Sequence, residues 1–230
     1  MKATYLTLAA LTLLVTGCAR KDEIEDCLGS CTTVTGRLVT SDGQQALPNT
    51  TVEAEWHYGA PFPQGKTKAR TTSDANGNYR LTFFVKDEEL AEGFFVINYL
   101  ANKQDFYVIG EPSQAIHKIK RDTTYRLSDY LIPRKAFVRL SITNPAAVST
   151  NYFASSFNNS YGTSIAFNPQ SLGGGSLISW AGLPLENPLP IAGDLPIIVR
   201  SFKDKNGITE RTIDSLFIPA GTTANYTVTY

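Results

Sequence analysis

The feature that most narrows the folds open to this chain is an alternation of apolar and polar residues with a period of two. It recurs in short stretches from Thr33 to the final residue. Val52, Ala54, Trp56 and Tyr58 share one parity, with Glu53, Glu55 and His57 on the other. Tyr79, Leu81, Phe83 and Val85 repeat the pattern against Arg80 and Thr82, and Val138, Leu140 and Ile142 do so against Arg139 and Ser141. Successive side chains of a strand point to opposite faces, so this pattern marks strands with one face buried. Phe94 to Leu100 is apolar on both parities and reads as a strand covered on each side, or as an edge strand under a loop. Leu195–Phe202 and Ile208–Ile218 are two further runs, and Tyr226, Val228 and Tyr230 alternate with Thr227 and Thr229. No helical periodicity is sustained. Only Lys86 to Gly93, with Asp87, Glu88 and Glu89 early, predicts a turn or two of helix.

Turn-forming residues separate these stretches. Ser41-Asp42-Gly43 follows the first strand, Leu47-Pro48-Asn49 leads into the second, and Asp74-Ala75-Asn76-Gly77 precedes the Tyr79 strand. Asn and Gly accept positive φ at low cost, which makes Asn76-Gly77 and Asn206-Gly207 strong hairpin signals. The Asp and Asn oxygens of residues 74–78 imitate a calcium loop. In such a loop, however, glycine comes sixth and a bidentate Glu twelfth. Gly77 is fourth and no acid closes the segment, so it reads as a turn fixed by side-chain oxygens.

The order Val34-Thr35-Gly36-Arg37-Leu38, Asp42-Gly43, Leu47-Pro48-Asn49-Thr50-Thr51-Val52, then Thr72-Ser73-Asp74 with Gly77 and Tyr79-Arg80-Leu81 resembles the carboxypeptidase regulatory-like family. The resemblance covers about residues 33–85 and implies a transthyretin-like Greek-key β-sandwich over 33–133. Leu38 stands where Val is commonest, and the segment from Ser41 to Leu47 is slightly long. Beyond Pro133 the chain continues in the same style, with a Ser-, Asn-, Gly- and Pro-rich stretch from Ser149 to Pro190 that reads as short strands and long loops. The fold class is therefore all-β. The organisation expected is two consecutive β-sandwich domains, 33–133 and 134–230, the second of no recognised family; a single extended sandwich is the competing layout.

The amino terminus reads as an address. Lys2 precedes an apolar run, Tyr5 to Val15, of about a dozen residues, whereas a membrane-spanning helix needs about 20. The run ends in Val15-Thr16-Gly17-Cys18, which resembles the lipobox of bacterial lipoproteins: small residues fit the signal peptidase and the thiol of Cys18 accepts lipid. That resemblance implies cleavage of residues 1–17, acylation of Cys18 and a membrane as partner. More than one acyl chain gives stable anchoring. Residues 18–32 then form a polar tether, in which Lys21-Asp22-Glu23 resembles the signal that directs Bacteroidota lipoproteins to the outer face of the outer membrane. A solvated linker is the alternative. Cys27 and Cys31 remain as a pair in an oxidising compartment, either as a disulfide or as two thiols.

Charge excludes one large class of partners. Twenty-one basic and 21 acidic residues balance to a formal net charge of zero, which leaves no electrostatic footprint for nucleic acid. His57 and His117 are the only histidines and lack zinc-ligand spacing, so no metal or cofactor is expected. His57 and Glu55 share a strand face and form an acid–base pair at most, with no nucleophile in view; the sequence predicts no catalytic residues and no enzyme. Gly173-Gly174-Gly175 lacks the following Lys of a phosphate-binding loop. The transthyretin-like fold includes a purine-pathway hydrolase, but its His and Arg clusters are absent here. Tyr58, Phe62 and Trp180 are candidate sugar-stacking rings, with Asn158, Asn159 or Gln170 as hydrogen-bonding neighbours. Trp56 shares its parity with Val52 and Ala54 and reads as core. Asp122-Thr123-Thr124 and Asp214-Ser215-Leu216 resemble the Bacteroidota O-glycosylation sequon, which implies glycans on Thr123 and Ser215. The function expected is a non-catalytic envelope lipoprotein acting as an adhesion, scaffold or complex-accessory module, with an envelope protein as partner. Glycan capture for polysaccharide uptake is the alternative.

Overall fold

The computed structural model describes residues 24–59, 61, 64–108, 112–148, 152–162, 175–205 and 207–230. The leader, Cys18, the Lys21-Asp22-Glu23 signal, Phe62 and Gln170 lie outside the described residues. The chain runs β1 (Cys31–Thr40), β2 (Gln45–Ala46), β3 (Thr51–Tyr58), β4 (Gln64–Thr72), β5 (Asn78–Phe84), α1 (Asp87–Ala91), β6 (Phe94–Leu100), β7 (Ser113–Ile116), β8 (Thr124–Arg126) and β9 (Tyr130–Leu131). It continues with β10 (Lys135–Ile142), α2 (Pro145–Val148), β11 (Tyr152–Ser160), β12 (Gly175–Trp180), β13 (Leu189–Ala192), β14 (Pro196–Lys205), β15 (Ile208–Phe217) and β16 (Thr223–Val228). The described residues are all-β apart from two helices of one turn or so. The acidic segment after Lys86 supplies α1, where Glu89 reaches back to accept the Lys86 backbone N–H.

Among the described residues four sheets form, and each draws its strands from one half of the chain. In the first half, β1 pairs antiparallel with β5 and β2 along one side, and parallel with β8 and β9 along the other. The second sheet has the order β4-β3-β6-β7, antiparallel throughout, with a bulge between Ala54 and Glu55. The parity seen in the sequence decides which side chains meet. Val34, Leu38, Leu81 and Phe83 of one sheet pack against Val52, Ala54, Trp56, Phe95, Ile97 and Tyr99 of the other. The rings of Phe83 and Phe95 stack across this core at 5.3 Å and 12°. β6 is buried on one face only: Phe95, Ile97 and Tyr99 are enclosed, while Phe94, Val96 and Asn98 are half-buried on the outer face.

In the second half, β10 lies between β13 (antiparallel) and β16 (parallel), and faces a sheet of order β12-β11-β14-β15. Ala136, Val138, Phe153, Phe157, Trp180, Ile191, Ile197 and Val199 fill the space between. The Ser- and Asn-rich stretch contains more structure than its composition suggests, because β11 is nine residues long and sits inside its sheet. Its polar residues are committed locally: Ser155 and Ser201 share a buried hydroxyl contact of 3.0 Å, and Asn159 Oδ1 accepts the Ala192 N–H. A third, smaller cluster joins the halves, with Val39, Tyr107 and Leu131 packed on Ala192 and Leu195. Beside it, Ser41 Oγ donates to Asp194 Oδ2 at 3.0 Å.

The turn at residues 74–78 forms as a side-chain-fixed turn. Asp74 Oδ1 accepts the N–H groups of Asn76 and Asn78, each at 2.8 Å, and Gly77 takes φ +78°. Those donors hold the carboxyl below its usual range, the Asn78 N–H most strongly. A Cβ at Gly77 would strike the Leu38 carbonyl oxygen, so both the turn and the close approach require glycine.

Candidate functional site

Among the described residues, two of the surfaces that gather side chains with chemical capacity bear on the sequence-derived candidates and on β15. The first is the outer face of the β4-β3-β6-β7 sheet. His57 Nε2 lies 3.1 Å from Glu55 Oε2, and Asn98 Nδ2 donates to the same oxygen at 2.9 Å. Phe94 stands between the two histidines, its ring 5.4 Å from His57 and 5.6 Å from His117. The pair foreseen from the strand parity is thus formed. His57 Nε2 is engaged by a carboxylate, and among the described residues no hydroxyl or thiol hydrogen-bonds to the ring. The arrangement orders a surface; it holds no nucleophile–base geometry.

The sugar-stacking candidates fare unequally. Trp180 is a correction to the sequence reading: it is 5% exposed, its Nε1 donates to the Leu183 carbonyl at 2.7 Å, and it meets Phe153 edge-on. The register of β12 on β11 places it opposite Ser155 on the inward face, where the small serine leaves room for an indole. Asn158 and Asn159 are buried and bonded to backbone, so neither is available to a sugar. Trp56 is core, with Nε1 donating to the Glu92 carbonyl. Tyr58 is half-buried, and one face of its ring stacks on Trp56 at 4.2 Å and 19°. Phe62 lies outside the described residues. No planar platform of exposed rings is assembled among the described candidates.

Cys27 and Cys31 are joined as a disulfide with a Cα–Cα distance of 5.9 Å. Just ahead of it, Glu25 pairs with Lys86 at 2.7 Å, which docks the end of the tether onto the first half. That hydrogen bond holds the Glu25 carboxyl below its ordinary range. Thr123 is half-buried in the turn before β8, its hydroxyl donating to the Arg121 carbonyl, whereas Ser215 is exposed on β15.

The second surface was not foreseen as a site. On the outer face of the β12-β11-β14-β15 sheet a groove of about 380 Å³ is lined by Ser156, Ser179, Arg200, Phe202, Arg211 and Ile213 among others. The Arg211 guanidinium lies 5.5 Å from the Phe202 ring, and among the described residues neither arginine pairs with a carboxylate. Next to it β15 is exposed along almost its whole length: Ile208 is 73% exposed, Ile213 70% and Phe217 64%. On its inner face the Tyr226 hydroxyl donates to Asp214 Oδ2 at 2.9 Å, while Ile208, Glu210, Thr212 and Asp214 of that face remain exposed. Burial first, and that carboxylate second, push the Tyr226 phenol up to about 12. A signal for this surface existed in the sequence. Ile208, Ile213, Leu216 and Phe217 follow no period of two, as expected of a strand with neither face well buried.

No family model matches the sequence, and no curated protein matches it. Solved structures with a similar chain trace include a streptococcal ancillary pilin, at 10% identity and a TM-score of 0.33, covering 87% of this chain and 63% of that one. A DUF3823 family protein from Parabacteroides merdae is similar at 11% identity and a TM-score of 0.29, covering 81% and 98%. The shaft pilin SpaA from Lactobacillus rhamnosus is similar at 8% identity and a TM-score of 0.28, covering 87% and 97%. Likeness at this level concerns the β-rich trace and carries no partner or activity to this chain.

Proposed function

We propose that the protein is a non-catalytic lipoprotein of the bacterial envelope, anchored through acylated Cys18 and acting as an adhesion, scaffold or complex-accessory module. The leader and the Val15-Thr16-Gly17-Cys18 pattern support the anchor, and Lys21-Asp22-Glu23 favours the outer membrane and its outer face. Residues 33–133 serve as a carboxypeptidase regulatory-like, transthyretin-like unit on the strength of their turn and strand motifs, and 134–230 as a second sandwich.

The observation that carries the assembly role is the location of exposed apolar surface. Three of the five most exposed large apolar side chains among the described residues, Ile208, Ile213 and Phe217, sit on β15, the last two on one face, while Trp56 and Trp180, the rings best suited to a sugar, are buried. Large apolar side chains gathered on one exposed element mark a protein contact more than a saccharide one. The test is a photo-crosslinking residue placed at position 213, and separately at position 58, in the full chain on intact cells. Protein adducts at 213 and none at 58 are expected. Glycan-array binding that is lost on Tyr58→Ala, together with no protein adduct at 213, would overturn the reading in favour of glycan capture.

A further inference from the structure

We infer that the outer face of the sheet formed by β5, β1 and β8 carries an oxyanion site, in which Arg80, Arg126 and Arg37 take the phosphate group of a phosphomonoester. The site lies in the first half of the chain and goes beyond the assembly role, which does not depend on it.

β1 runs between two strands that each set an arginine beside the same residue. Thr35 has Arg80 of β5 as its antiparallel partner and Arg126 of β8 as its parallel one. Neighbouring strands lie about 4.8 Å apart, so the Cα atoms of the two arginines stand about 10 Å apart with Thr35 between them. This face points away from the core: Arg80 and Arg126 are exposed, while Val34 and Leu81 are buried on the inner side. Two residues further along β1, Arg37 faces the same way and is a diagonal neighbour of both. With Thr35 and Asn78 the three arginines line a groove of about 470 Å³. The short side chain of Thr35 keeps the floor low, and its hydroxyl is engaged by the Tyr125 carbonyl at 3.3 Å.

Charge gives the groove its character. Arg37 Nε donates to the Asn76 carbonyl at 3.1 Å and its Nη1 to Asp129 Oδ2 at 3.2 Å. Those bonds fix the guanidinium fork and leave its remaining N–H donors open. Among the described residues neither Arg80 nor Arg126 meets a carboxylate, whereas Arg70 is answered by Glu53 and Arg121 by Asp87. Asp74, in the adjoining turn, is held by the Asn76 and Asn78 N–H groups. Three guanidinium groups against the Asp129 carboxylate leave the lining with two uncompensated positive charges. Cations gathered in this way repel, and a bound anion removes the repulsion.

The occupant follows from that balance. A phosphomonoester carries close to two negative charges at neutral pH and presents three strong acceptor oxygens. A guanidinium fork pairs with two oxygens of a phosphate at once. Gripped from both sides by Arg80 and Arg126, with Arg37 supplying further donors, such a group neutralises the lining. A carboxylate or a sulfate ester brings a single charge and leaves half of the excess in place. The phosphate is carried either by a small soluble ester or by a lipid headgroup, and the chemistry is the same for both.

The test is calorimetric titration of the full chain, held in neutral detergent at low salt, with glycerol 3-phosphate. Saturable binding is expected, with a Kd of about 1 mM or below, the range of a few charge-assisted hydrogen bonds. Arg80→Ala and Arg126→Ala should each weaken it about tenfold. Both side chains are exposed, so melting temperatures should confirm that the variants fold. Arg139→Ala, which removes an exposed arginine on β10, should leave binding unchanged. Repeating the titration in micelles doped with phosphatidic acid or with phosphatidylcholine separates the two sources. Competition by the first lipid alone assigns the phosphate to a headgroup; competition by neither assigns it to a soluble ester. No saturable heat with glycerol 3-phosphate, acetate bound as tightly, or an equal loss in Arg139→Ala would overturn the site. Protein adducts at position 213 alongside such a result would leave the assembly role standing.

Discussion

Gly36 lies against the ring of Tyr79, close enough that an added Cβ would clash with the phenol. Here the absence of a side chain, rather than backbone freedom, is what the fold uses. The Tyr79 hydroxyl cannot easily move away, because it shares a 2.9 Å hydrogen bond with Tyr99, which in turn bonds to Gln114. Gly36→Ala is therefore expected to cost about 1–3 kcal/mol by overpacking. That would appear as a fall in melting temperature of about 2–4 °C per kcal/mol in a protein of this size. The same cluster sets an alkaline limit. Burial pushes the Tyr79 and Tyr130 phenols up to about 12 and raises Tyr99 further. A phenol harder to ionise in the folded state than in the unfolded one favours folding below its unfolded value near 10, and that contribution is lost as pH rises through the folded value. Thermal melts should be level from neutral pH to about 10 and then fall towards 12, with a shallower fall in Tyr79→Phe.

At the scale of elements, the contact of β4 with α1 turns on one buried ion pair. Lys68 Nζ lies 2.5 Å from Glu89 Oε1, with both side chains almost fully enclosed, while Glu89 Oε2 caps α1 through the Lys86 N–H. Removing one charge leaves the other buried and alone, so Glu89→Gln should destabilise by about 3 kcal/mol in denaturant titrations. The double variant Lys68→Met with Glu89→Leu should recover much of that loss. Neither residue was legible as buried, because Lys68 sits in a polar run and Glu89 in an acidic one; their enclosure follows from tertiary packing. Elements with a clean period of two, such as β3 and β5, were readable to within a residue or two, as was the Asp74 turn. β11 was obscured because its inward Ser155 and Asn159 bond within the protein and so break the apolar alternation. Trp180 was misplaced as a platform for the related reason that a small residue opposite it is invisible in one dimension. The exposure of β15 had a trace in the sequence, the missing alternation, but how far the strand stands out to solvent is a property of the sheet.

At the scale of the whole molecule, no named strand of one half pairs with one of the other among the described residues, yet Leu131 and Gly162 exchange backbone hydrogen bonds and Val39, Leu131 and Leu195 pack the halves together. Among the described residues, such a body leaves β15 exposed along almost its whole length. Under the proposed reading, acylation of Cys18 would confine chains to a membrane, where partners meet at a high effective concentration without any new contact. The proposed acylation of Cys18 is therefore the premise on which the envelope role rests. The most direct measurement is the intact mass and amino-terminal peptide of the native protein extracted from membranes. The account predicts a mature chain that begins at Cys18 and bears acyl groups on that residue. A chain that retains residues 1–17 with an unmodified thiol at Cys18 would contradict it.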